Sequence, residues 1–186
     1  EADDLGLSVN EIGRVAHVAE IERRTGLGGV APLLTGGFVL TTKSGGPGVA
    51  VIDRIAISTK VKVVSACIGP IGTKHVLASE RLREKINALG SSTFRTITRD
   101  LRPSNFMRAS RSFAYGLKLM SPQTARLMEY MNDEEAIGAT QNMLGQAVHA
   151  LVQADIADSM LRAIRKRFPR VTAFSCGLDF AGARIV

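Results

Sequence analysis

The stretch KVKVVSACIG, residues 60–69, decides how this chain is divided. Its valines and the apolar run up to Ile68, stopped by Gly69 and Pro70, read as a β-strand. On its N-terminal side the pattern is a self-contained helix, loop and hairpin. Ser8-Val9-Asn10-Glu11 has the Ser-x-x-Glu form of a capping box, and Val9, Ile12, Val15, Ala16 and Ala19 recur at helical spacing, which predicts a helix from about Val9 to Arg24. GFVLTTK (37–43) and VAVIDRIAI (49–57) then read as two antiparallel strands joined through SGGPG (44–48).

On the C-terminal side the pattern is longer and mixed. PIGT (70–73) leads into a helix expected from about Lys74 to Leu89, with Val76, Leu77, Ile86 and Leu89 as its apolar stripe. Two further helices are expected near 103–118 and 122–132, the first entered through Pro103, where a missing N–H costs least. GATQNML and QAVHALV read as strands around Gly145, followed by a helix near 155–167 and the strands RVTAFSC and GARIV. The sum is an α+β chain, with one sheet in its second part carrying helices on one face. The expected domains are residues 1–58 and 59–186.

Charge follows the same division. Residues 1–58 hold five Lys/Arg against seven Asp/Glu, and residues 59–186 hold nineteen against ten, so the formal net charge of +7 comes wholly from the second part. This asymmetry suits an anionic ligand, or else a solvated basic surface. With 186 residues, 45% of them hydrophobic, the chain can bury a real core. No run of about eighteen apolar residues marks a membrane span, and a cytoplasmic location is expected. Cys67 and Cys176 lie in strand-like runs without metal-ligand spacing and are read as free thiols. His17, His75 and His149 also lack metal spacing, and are read as surface or satisfied core histidines.

IERRTGLGGVAPLLTGG, residues 21–37, carries five glycines and two threonines. A triphosphate cradle needs its glycine backbone to run directly into a helix N-terminus. Here Thr25 to Gly29 leads instead into an apolar segment with Pro32 and then into strands, so the stretch is not an ATP loop. Glu20, just before it, stands one turn beyond Ala16 on the mainly apolar side of the first helix. There it fringes the buried face, pairs with Arg24 at i+4, or holds magnesium and orients the loop.

Four segments in this order, GRVAHVAEIERRTGLGGVAPLLTGGF, GPIGTKHVL, MLGQAVHAL and GLDFAGARIV, with a GGPG hairpin loop and a Pro-Ser-x-Phe segment between them, resemble the archaeal pantoate kinases of the GHMP kinase superfamily. The resemblance covers nearly the whole chain. It implies the GHMP kinase fold, with the end of the N-terminal domain followed by a ferredoxin-like α/β sandwich. It also implies magnesium- and ATP-dependent phosphorylation of pantoate to 4-phosphopantoate in coenzyme A biosynthesis. Because the family's Gly/Ser-rich triphosphate loop is not in this sequence, the 186 residues are expected to be the C-terminal two-thirds of a kinase, without turnover of their own.

The resemblance further implies site residues. Glu20, Thr25, Gly28 and Gly29 become the catalytic segment, with Glu20 as the metal carboxylate. Met143, Leu144 and Gly145 become a nucleotide-binding turn, though by pattern alone they are a hairpin. Thr73 and Lys74 open a helix after a strand and can meet a bound carboxylate or phosphate, or be an ordinary cap with a solvated lysine. Arg108 and Arg111 share a helix face with Ser104 and can hold pantoate's carboxylate through paired N–H donors, or be a solvated face. One departure stands out: where pantoate kinases tend to read Gly-Leu-Gly-Asp, this chain reads Gly26-Leu27-Gly28-Gly29. Either a carboxylate is lost there, or the loop needs glycine for a positive φ. A homodimer is the expected form, without a membrane partner. The alternatives are a weak or ligand-binding relative, motivated by Gly29, and a basic nucleic-acid-binding module. The second is opposed by an aromatic content of only 5%, which leaves few side chains for stacking on bases.

Overall fold

Ser8 caps the first helix as its sequence predicts. Its backbone N–H donates to Glu11 Oε2 at 2.7 Å, its hydroxyl donates to the same oxygen at 2.6 Å, and Glu11 N donates back to Ser8 Oγ at 3.3 Å. These bonds hold the Glu11 carboxyl below its usual range. Helix α1 runs Val9–Arg23, a short α2 runs Val30–Thr35, and β1 (Val39–Lys43) pairs antiparallel with β2 (Val51–Arg54). The computed structural model describes residues 6–23, 28–69, 79–143 and 145–184. They fall into two units, the first formed by residues 1–56 with 178–186 and the second by 57–177.

In the first unit α1 turns a different face inward from the one its hydrophobic pattern suggests. Val9, Ile12, Val15, Val18 and Ile21 are exposed, and Gly13 is the buried residue. A Cβ on Gly13 would lie 2.5 Å from Leu34 Cδ1 and 2.9 Å from Pro47 Cγ, so the glycine sets how closely α1 meets α2 and the hairpin loop. Arg14 reinforces that contact by donating from Nε to the Pro47 carbonyl at 3.1 Å. The inward side is therefore the row of Gly13, His17 and Glu20, spaced one turn apart.

The second unit is built on a four-stranded antiparallel sheet in the order β4-β5-β3-β6, with β3 Val61–Gly69, β4 Gly138–Gln141, β5 Gln146–Gln153 and β6 Thr172–Gly177. Helices α3 (Glu80–Arg99), α4 (Pro103–Leu117) and α5 (Pro122–Asp133) lie between β3 and β4, and α6 (Ala154–Arg167) lies between β5 and β6. With the outer strands β4 and β6 flanking β5 and β3, this is the strand order of a ferredoxin-like sandwich. Period-two alternation makes the core: Val64 pairs with Ala150 and Ala66 with Val148, all fully buried, and Leu127, Met128, Met131, Met160 and Ile164 from α5 and α6 cover them.

Four expectations change. The apolar segment after Gly29, expected to lead on to strands without a helix, forms α2 with Gly29 as its N-cap; Pro32 falls in its first turn, where proline is tolerated. The helix expected at 74–89 is α3, which begins at Glu80 behind its Ser79 cap and runs ten residues past Leu89; residues 70–78, with Val76 and Leu77, lie outside the described residues. Gly90 does not stop it, because one interior glycine costs a helix only about 1 kcal/mol and Ile97 is buried where α3 packs along α4. The segment expected as a last strand, GARIV, is not extended pairing over its described residues 182–184. Residues after Gly177 pack with the first unit, whereas the expected boundary put them with 59–186. No helix among the described residues is long and apolar enough to cross a membrane.

Candidate functional site

Glu20 is half-buried on the inward row of α1, and its Oε2 is buried without a hydrogen-bond partner among the described residues. His17 Nδ1, one turn earlier, is in the same condition. A side chain on Gly46 would lie 2.6 Å from His17 Cδ2, which shows how tightly the SGGPG loop closes over the imidazole. A buried carboxylate oxygen without a donor is costly unless something cationic meets it. Magnesium fits that requirement, since it commonly takes one or two protein carboxylates and fills its remaining positions with water and phosphate oxygens. Among the described residues no group of three or more His, Cys, Asp or Glu assembles a full metal cage. His17 is the neighbour that sequence reading missed; its i, i+3 spacing to Glu20 was the available signal.

The segment after α1 is described from Gly28 onward. Thr25 lies outside the described residues. Gly28 has φ +93, a backbone region that side chains rarely adopt, and no atom within 4 Å of an added Cβ. Gly29 has φ −73 and ψ −20, as the residue before α2, and also faces open space. The two readings of the departure are thus separated: the positive φ belongs to Gly28, and among the described residues nothing in backbone or packing requires glycine at 29.

The C-terminal tail clasps the far end of α2. Gly37 N donates to the Asp179 carbonyl at 2.6 Å and Ala183 N donates to the Leu33 carbonyl at 2.9 Å. Cβ atoms cannot be accommodated between these backbones: one on Gly182 would lie 2.2 Å from Leu34 O, and one on Gly36 would lie 2.5 Å from Gly182 N. Arg184 closes the turn with a 2.7 Å bond to Asp179, holding that carboxyl below its usual range. The tail motif is therefore a brace on the segment that begins at Gly29, where the sequence reading had GARIV as a strand.

The second unit separates its expected site residues. Thr73, Lys74 and Leu144 lie outside the described residues. Arg108 donates to Asn105 Oδ1 at 2.5 Å, and Asn105 in turn spans the α3–α4 connection through bonds to the Thr96 and Asp100 carbonyls. Arg111 is half-buried, and its charge acts on Tyr115, whose hydroxyl donates to Glu129. Burial and that carboxylate push the Tyr115 hydroxyl up to about 12. The two guanidinium groups thus have different surroundings.

Met143 is exposed at the β4–β5 turn. Gly145 donates to the Asn142 carbonyl at 3.0 Å and would hold a Cβ in ordinary contact, with no atom nearer than 3.6 Å, so the turn does not depend on a bare backbone there. His149 Nδ1 lies 2.5 Å from Asn142 Oδ1, and burial lowers the imidazole below its usual range. Part of the basic excess is structural: Arg102 pairs with Asp100 at 2.6 Å, and Arg165, Lys166 and Arg167 occupy the last turn of α6, where cations offset the helix dipole.

A helix-and-hairpin unit, and a ferredoxin-like unit after it, have the α+β fold of the C-terminal part of GHMP kinases. The chain superposes on a solved phosphotransferase related to the CoA biosynthesis pathway with a TM-score of 0.82, at 21% identity over 94% of this chain and 56% of that one. On the Methanococcus jannaschii mevalonate kinase the TM-score is 0.63, at 14% identity over 95% and 58%. In sequence it is similar to archaeal pantoate kinases: 27% identical to that of Thermococcus kodakarensis over 78% of this chain and 48% of that protein, and 30% identical to that of Methanospirillum hungatei over 78% and 47%. The chain spans about half the length of these relatives. No protein-family model matches it.

Proposed function

We propose that the protein carrying this chain phosphorylates pantoate with ATP, as its relatives' name describes, within coenzyme A biosynthesis. The observation that supports this most directly is the similarity to pantoate kinases across 78% of the chain, on a fold shared with small-molecule kinases. In the reaction the acceptor hydroxyl oxygen forms a bond to the γ-phosphorus, the bond from that phosphorus to the β–γ bridging oxygen breaks to release ADP, and the hydroxyl proton passes to water. The transition state is loose and asks more for positioning and charge neutralisation than for a strong base.

In this scheme Glu20 would hold the magnesium ion, which when bound neutralises phosphate charge. Gly28 and Gly29 supply backbone rather than carboxylate to the acceptor side. The tail brace fixes the α2 end of that segment. A second reading, a relative that binds pantoate without turnover, is favoured by one observation: Gly29 has no side chain although its surroundings would accept one.

The experiment is an ADP-release assay on the protein that carries this chain in full, with pantoate, homoserine and mevalonate as acceptors and magnesium present. Pantoate is expected to be preferred. A preference for another acceptor would overturn the substrate, and pantoate binding by calorimetry without ADP release would select the second reading.

A further inference from the structure

Helix α1 is covered on one side only. Gly13 is buried and His17 and Glu20 are half-buried, while Val9, Ile12, Val15, Val18 and Ile21 are all exposed, Val15 at 66% and Val18 at 52%. Spaced three apart, these five step back about 60° round the helix axis each time. Together with Gly13 and the exposed Ala16 and Ala19 they leave no side of α1 without an apolar residue. From Ile12 to Ile21 the one exposed charged residue is Arg14, and its Nε reaches back to the Pro47 carbonyl.

A helix that faces solvent has a different pattern, which α6 shows: Met160 and Ile164 are buried, and Arg162, Arg165 and Lys166 are exposed. A helix apolar all round belongs in a protein interior or across a membrane. The 15 residues of α1 fall short of the roughly 20 that cross a bilayer. A helix lying on a lipid surface separates an apolar face from a basic one, which α1 does not do. The cover that its chemistry calls for is therefore polypeptide.

The need for cover is confined to the first unit. The second closes its own core around Val64, Leu127, Met128 and Ile164. Among the described residues of the first, the buried hydrophobics are Ala31, Leu40 and Ile55, beside a two-stranded hairpin, which is marginal without further strands or helices packed on it. The relatives have the missing material: this chain spans 48% and 47% of two pantoate kinases and 56% of the solved phosphotransferase. That superposition takes in 94% of this chain, so at least part of α1 has its counterpart inside a longer fold.

We propose that the exposed apolar surface of α1 is the docking site of the remainder of that fold, carried in the same protein as this chain, and that α1 is an interior helix of the assembled first unit. The surface that meets it is apolar and uncharged opposite Val15 and Val18, because an unpaired charge buried there would be costly. Ala16 and Ala19 lie beside them, and their short side chains let that surface come close. The inference uses the length of the relatives and not their substrate.

The test is photo-crosslinking of the purified protein that carries this chain in full, with p-benzoylphenylalanine in place of Val15 and, separately, of Val18. Mass spectrometry of the digest is expected to find each joined to a peptide outside residues 1–186, within a single polypeptide. A second measurement adds no bulk: Val15→Cys and Val18→Cys, with Cys67→Ser and Cys176→Ser as background, should react with a maleimide at least about a hundredfold more slowly than Arg162→Cys on the exposed side of α6. Val15→Asp should lower the melting temperature by about 5 °C or more, because its carboxylate would be buried without a partner. The proposal is overturned by crosslinks confined to residues 1–186, by crosslinks between two copies, by cysteines that react at the rate of the control, or by an unmoved melting temperature in Val15→Asp. Pantoate turnover by a protein that fails these tests would leave the proposed function standing, and the expected crosslinks in a protein that releases no ADP would strike the phosphorylation reading alone.

Discussion

Gly182→Ala should release the tail from α2, and its cost can be worked from the backbone. Gly182 has φ +78, and placing alanine in the left-handed region costs about 1–2 kcal/mol. The added Cβ would stand 2.2 Å from Leu34 O, a backbone atom that no rotamer change can move aside. The tail must therefore retreat, giving up the Ala183 N to Leu33 O bond at 2.9 Å and weakening the Gly37 N to Asp179 O bond at 2.6 Å, worth about 1 kcal/mol each. The sum is about 3–4 kcal/mol, confined to the first unit.

Amide hydrogen exchange reads this directly. Protection at Gly37 and Ala183 should fall by about two to three powers of ten, while amides in the paired β3 and β5 strands stay as they were. Gly177→Ala is the control, since nothing lies within 4 Å of its added Cβ and it should leave both amides protected. If Gly182→Ala exchanges like the unsubstituted chain, the tail does not brace α2 and the reasoning fails.

Three further outcomes are expected. Glu20→Gln in the protein that carries the chain in full should lower kcat by about ten- to a thousandfold, or 1.4–4 kcal/mol, with little change in melting temperature; unchanged turnover would remove Glu20 from the site. Gly29→Asp should fold without strain at φ −73, whereas Gly28→Ala at φ +93 should destabilise by about 1–2 kcal/mol; the reverse order of melting temperatures would refute the separation of the two glycines. Hydrogen bonds from the Arg102 side chain, then its backbone, hold Asp100 down at about 2. Because the folded value is depressed, the pair's contribution is present above the unfolded value of about 3.9 and is lost as pH falls through about 2. Arg102→Ala should raise the Asp100 titration seen by NMR toward the ordinary carboxylate range, and an unmoved titration would show that the arginine is not the cause.

Local chemistry was legible in the sequence wherever its cause was local. The Ser8–Glu11 box, the Pro103 helix start and the strand QAVHALV each act within a few residues of where they are written, and the structure carries all of them. Motif order reached further, since the four segments pointed to the fold that the superpositions show. The extent of α3 was not legible, because its continuation past Leu89 depends on packing along α4, a contact between separate elements.

The inward face of α1 was decided by tertiary structure alone. Its valines and isoleucines form the more hydrophobic row, yet Gly13 is the residue that lets Leu34 and Pro47 approach, and that close contact brings His17 and Glu20 in with it. Position 29 shows the same limit: a glycine letter cannot say whether it answers a backbone angle, and the angle is set by how the chain enters α2. Sequence by itself determined most of the elements and the family of shapes they make, α2, the bounds of α3 and the tail excepted, because propensity, capping and periodicity are short-range. Which polar atoms end up buried without partners among the described residues, at Glu20, His17 and Thr140, depends on contacts between residues distant in the chain, and only the folded structure brings those together.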